Sequence, residues 1–104
     1  MTKVIMDEEF WRLYRKVERW AFTEGHNDEM RRDIKELYEF VASRTGKPVA
    51  ESLFSKGRIS GALYDEVKDV ERLVLMIDSL DLDFVKAQLI RILEILEQAY
   101  FSAP

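Results

Sequence analysis

The 104-residue sequence contains no cysteine. That absence excludes disulfide frameworks, thiolate nucleophiles and zinc–thiolate sites, and it suits a reducing, cytoplasmic setting. Histidine occurs once, at His26, asparagine once, at Asn27, and glutamine twice, at Gln88 and Gln98. A lone histidine without cysteine completes a transition-metal site only if several carboxylates gather around it, so neither a metal nor any other cofactor is expected. His26 reads as an ordinary loop or capping residue. Many charges (35% of residues) with so few amides is a bias found in heat-adapted proteins. Long uncharged apolar runs are also missing. The best candidates are interrupted by Asp78, Asp81, Asp83, Lys86 and Arg91, so none approaches the roughly 20 residues that cross a bilayer. The opening residues, Met1 to Asp7, show neither an apolar run nor a small-residue cleavage site. No secretory leader or membrane association is therefore expected.

What is present is enough apolar material for one folded domain spanning residues 1–104. Hydrophobic residues make up 47% of the chain and aromatics 12%, above the range of chains too polar to bury a core. Four long segments carry helical periodicity. From about Asp7 to Glu24, Phe10, Tyr14, Val17 and Ala21 mark one face, and Asp7, Glu8 and Glu9 suit the positive end of a helix dipole. From about Asp28 to Arg44, Asn27 reads as N-cap and Met30, Ile34, Leu37 and Val41 repeat the stripe. Gly46 and Pro48 end that segment. A short helix fits between Pro48 and Ser55. Ser60 then caps a helix to about Ser79, and Ser79 or Asp81 opens a last one to about Tyr100. Short connections make consecutive helices antiparallel neighbours. The expected fold is all-α: an antiparallel up-down four-helix bundle with a short extra helix between the second and third.

The last helix is more apolar than one core stripe requires. Its arc runs from Phe84 and Ile95 through Leu89 and Leu96 to Leu93 and Ile90, wider than the roughly 100° of a peripheral helix. Deep burial in the monomer explains it; so does a second contact across a dimer, because apolar patches of that extent are seldom left in water. Phe84, Ile90, Leu93 and Ile95 are therefore candidate interface residues. Trp11 and Phe22 lie off the main stripe of the first helix and join them. Arg15, four residues after Trp11, is placed to stack on it. The competing reading buries these aromatics under the short middle helix or the termini.

Three other clusters invite chemistry. Asp78, Asp81 and Asp83 could face a hard cation, but the glycine and spacing of a calcium loop are missing, and aspartate is favoured as a cap at such junctions. Arg44, Lys47, Lys56 and Arg58 enclose a segment holding one acid, Glu51, inside a chain of net charge −4. That segment could touch phosphate. With the helix from Ser60 as reader it loosely resembles a helix-turn-helix, but Asp65, Glu66, Asp69 and Glu71 would oppose a DNA backbone. Serines and acids occur, but nothing is ordered as a nucleophile, base and orienter.

The stretch Leu53-Phe54-Ser55-Lys56-Gly57-Arg58-Ile59-Ser60 through Val85 resembles the later part of HEPN-type helical bundles. Gly57-Arg58-Ile59-Ser60 is similar to their turn before a long helix, Arg72 to their arginine, and Leu82-Asp83-Phe84-Val85 to the junction opening their final helix. Where that family places a histidine after the arginine, this chain has Leu75, Met76 and Ile77. The resemblance thus implies a non-catalytic member, of a kind that pairs with itself, with a nucleotidyltransferase or within a toxin–antitoxin pair. The expectation is a non-enzymatic protein–protein interaction module, a homodimer with room for another protein partner. Nucleic-acid binding through residues 44–58 is the alternative.

Overall fold

The computed structural model describes the backbone of residues 2–103 and the side chains of residues 8–103. Its elements are α1 (Thr2–Ala21), α2 (Asp28–Thr45), α3 (Val49–Ser55), α4 (Gly61–Leu75), a 3₁₀ turn (Ile77–Ser79), α5 (Leu82–Ala87) and α6 (Leu89–Ser102). No strand occurs among the described residues. The chain is all-α.

The ends of the helices follow from local chemistry. α1 begins before the expected Asp7 and stops before Glu24. Its first turn holds no acid, so Glu8 and Glu9 are interior, and Glu9 instead holds Arg12 through bonds of 2.8 and 2.6 Å. The side chain of Asp7 lies outside the described residues. The Thr23 hydroxyl closes the helix by donating to the Arg19 carbonyl at 2.8 Å, satisfying a carbonyl the helix leaves open. Asn27 caps α2 as its residue type foretells, accepting from the Glu29 N–H at 2.8 Å. Ser60 does the same for α4 through the Leu63 N–H at 3.2 Å.

Two expected long helices are divided. The helix from Ser60 ends at Leu75 and gives way to the 3₁₀ turn. Arg31 on α2 stabilises that ending, donating to the carbonyls of Ile77 at 3.0 Å and Leu80 at 2.5 Å. The helix from Asp81 breaks at Gln88, where ψ is −1° and the N–H donates to the Val85 carbonyl three residues back at 3.0 Å. α5 is tethered elsewhere. Lys86 donates to the carbonyls of Thr23 and, at 2.7 Å, Gly25, and His26 pairs with Asp83. The loop after α1 holds α5 while α6 follows the core.

α6 is the central helix, packing on α1, α2, α3 and α4. That position accounts for most of its wide apolar arc: Leu89, Ile92, Leu93, Ile95, Leu96, Ala99 and Tyr100 are all buried. Leu93 and Ile95 are therefore core residues of the monomer, at 1% and 7% exposure, and not surface residues awaiting a second chain. The Cα extents, 39 × 32 × 17 Å, describe a flattened body.

Candidate interaction surface

Of the residues marked for an interface, Ile90 is 54% exposed, Phe84 47% and Phe22 83%. Trp11 is half-buried, packed edge-on against Phe10 at 5.0 Å and Tyr14 at 5.0 Å and lying 5.9 Å from Phe101. Trp11 is thus covered in part by the C-terminal turn, and Arg15 is not among the described cations found over rings, which are Arg44, Lys47 and Lys68.

Helical geometry sets Trp11 and Ile90 on facing flanks of α1 and α6, whereas Phe84 lies on α5. α1 and α6 run antiparallel, because Phe10 stacks on Tyr100 at 4.3 Å and Trp11 meets Phe101, while Tyr14, one turn further along α1, sits in the field of Glu97 and Glu94, about one and two turns back along α6. On α6, Ile90, Glu94, Glu97 and Phe101 fall within one narrow arc, opposite the buried residues. On α1, Trp11, Tyr14, Glu18 and, just past the helix end, Phe22 occupy the flank turned to α6. The register sets Glu18 level with Glu94, while Phe22 lies past the end of α1 at 83% exposure. On α6 the apolar groups Ile90 and Phe101 therefore stand about 16 Å apart along the helix, with Glu94 and Glu97 between them.

The electrostatics of the middle follow from this. Partial burial, then the charges of Glu97, Glu18 and Glu94 and the hydrogen bond its hydroxyl gives to Glu97, hold the Tyr14 phenol above its ordinary pKa, so it stays a neutral hydroxyl. Among the described residues no salt bridge neutralises Glu18, Glu94 or Glu97. Arg91, on the α4 side of α6, is engaged by Glu66 at 3.0 Å and Asp69 at 3.5 Å. Arg15 is the cation nearest this flank on α1.

The other clusters resolve into structural roles. Asp78 pairs with Lys35 at 2.6 Å, Asp81 caps α5 by accepting from the Asp83 N–H, and Asp83 meets His26. No group of three His, Asp or Glu side chains suited to a metal ion occurs among the described residues. In the basic segment, Arg44 lies over the Tyr100 ring at 5.0 Å, Lys47 binds Glu39 at 2.8 Å, Lys56 donates to the Thr45 carbonyl at 3.3 Å, and Arg58 is exposed. Of the acids assigned to the surface of the fourth helix, Asp65, Glu66 and Asp69 are exposed, but Glu71 is buried at 5%. Among the described residues the surface depressions include two without an assigned role. One, about 320 Å³, is lined by Lys16, Glu29, Arg32, Asp33 and Glu36. The other, about 260 Å³, lies between Pro48 and Leu75 beside Arg72. Neither joins a nucleophile to a base and an oxyanion donor.

Sequence reasoning marked Trp11, Phe22 and Ile90 and did not mark Tyr14, Glu18, Glu94, Glu97 or Phe101, which the fold sets beside them. The signal available was the spacing of Ile90, Glu94, Glu97 and Phe101 at helical intervals. Without the α1–α6 register, nothing joined it to the first helix. No family model, curated protein or solved structure matches the chain. Among the described residues no helix is long and apolar enough to cross a membrane.

Proposed function

We propose that the protein is a non-catalytic helical interaction module that works by binding another polypeptide on the α1–α6 face. The observation that carries this reading is the exposure of Ile90 and Phe101 in line on the helix that otherwise supplies the centre of the core. Exposed apolar groups aligned on one face mark interaction sites in other proteins. The antiparallel order of a four-helix bundle, with α3 as the extra helix and α5–α6 as one broken member, belongs to the same reading, as does a place in the cytoplasm of a heat-adapted cell.

A homodimer is the second reading, favoured by the exposure of Phe84 and Ile90. Kinship with non-catalytic HEPN-type subunits, paired with a nucleotidyltransferase or within a toxin–antitoxin pair, rests on Gly57 to Ser60, Arg72 and Leu82 to Val85 alone. Binding of nucleic acid through Arg44, Lys47, Lys56 and Arg58 draws less support, because three of the four side chains are turned to groups of the protein itself.

The test sets neighbouring residues of α6 against each other. Leu93→Ala and Ile95→Ala should each lower stability by about 2–5 kcal/mol, as for buried aliphatic truncations. Ile90→Gln should change it by less than about 0.5 kcal/mol, as for a surface site. Denaturant unfolding measures all three. An Ile90→Gln loss as large as that of Leu93→Ala would return Ile90 to the core and remove the ground for the reading.

A further inference from the structure

The face on α1 and α6 has a pattern that selects its occupant. Resting on the reading above, we propose that it receives a basic amphipathic helix of another protein, with apolar anchors about eleven residues apart and lysine or arginine between them. Phe101 with Trp11 offers an apolar contact at one end, and exposed Ile90, eleven residues before Phe101 on α6, offers one at the other. Glu18, Glu94 and Glu97 lie between, set against Arg15 alone, so the middle is net negative by two. Eleven residues of helix span about 16 Å, the separation of the two apolar ends. A helix laid along the face therefore places its i and i+11 side chains on the aromatic and aliphatic ends and its i+4 and i+7 side chains over the carboxylates. Helix-in-groove recognition uses such spaced anchors.

The same pattern argues against a second copy. A two-fold contact maps the centre of a face onto the centre of its mate. Here it would bring Glu18, Glu94 and Glu97 against the same three carboxylates, and like charges so juxtaposed oppose association. A partner carrying lysine or arginine at that level meets no such repulsion. Tyr14, whose hydroxyl is already given to Glu97, adds an aromatic wall to the contact.

The experiment uses the full chain and two labelled synthetic helices of about 20 residues. Both carry leucine anchors at i and i+11; one has lysine at i+4 and i+7, the other glutamate. Fluorescence anisotropy should show saturable binding of the lysine peptide at micromolar concentrations, and none of the glutamate peptide. Raising the salt should weaken it, and Glu94→Gln/Glu97→Gln should weaken it by about fivefold, the scale of two exposed ion pairs. Thermal melts establish that the variant is folded. Failure of the lysine peptide to bind, equal binding of both peptides, or indifference to the double substitution overturns the inference. Light scattering on the same samples gives the other occupant. A dimer that persists on dilution and is dispersed by Ile90→Glu overturns the basic partner while leaving the interaction module standing. The stability of Ile90→Gln decides that broader reading separately.

Discussion

A buried carboxylate needs donors, and Glu71 has three: the Tyr38 hydroxyl at 2.5 Å and the N–H groups of Val49 and Ala50 at 2.6 and 3.2 Å. The two N–H groups belong to the first turn of α3, which has no capping side chain of its own. Glu71 on α4 thus caps a helix from outside it, satisfying donors that a short helix would otherwise bury unpaired. Removing it as Glu71→Ala should cost about 1–3 kcal/mol, the penalty of orphaned buried donors. Urea unfolding would show a far smaller cost if water replaced the carboxylate. Tyr38 gives the pH dependence. Burial, then its hydrogen bond to Glu71 and that residue's charge, push the phenol well above its usual value. A raised folded-state pKa contributes stability that is complete below the unfolded pKa of about 10 and declines as pH rises above it. Unfolding free energy should therefore fall between about pH 10 and 12, and Tyr38→Phe should make that fall shallower. An unchanged slope would show that Tyr38 ionises freely in the folded protein.

Between α2 and α3 the chain turns at Gly46, where φ is 103°. A Cβ there would lie 2.7 Å from the Ser52 hydroxyl oxygen, and that hydroxyl donates to the Thr45 carbonyl at 2.5 Å. Gly46→Ala should destabilise by about 1–3 kcal/mol through backbone strain and displacement of that bond. A thermal melt matching wild type would refute it. At this scale much was legible. Asn27, Ser60 and Gly46 announce their ends because capping is local chemistry, and the stripes of Met30, Ile34, Leu37 and Val41 fall in the core because helical period fixes the face. The breaks at Met76 and Gln88 were not legible. No proline or glycine marks either; the first is held by Arg31 from α2, and the second follows from α5 being tied to the loop at Thr23–His26. Those partners are 46 or more residues away. Glu71 was read as a surface acid for the same reason, since an acid on a charged helix gives no sign that it faces a distant helix start.

The whole molecule explains the α6 sequence that first suggested a dimer. A helix packed on four others needs a wide apolar arc, and Leu93 and Ile95 serve that need. The excess left over is small and specific. Ile90 and Phe101 stand outside, in line, with Glu94 and Glu97 between them and the Trp11–Phe22 flank of α1 alongside. That the two flanks form one face is a tertiary fact, set by Phe10 on Tyr100 and Trp11 near Phe101. The charge on the face then separates a basic partner from a second copy, because only the latter must oppose carboxylate to carboxylate.

The most direct measurement is the backbone amide NMR spectrum of the labelled protein titrated with the lysine-bearing helix. The account predicts shifts concentrated at residues 11–22 and 90–101, leaving the buried positions of α2 and the 44–58 segment in place. Shifts centred on residues 44–58, or spread evenly through the core, would contradict it.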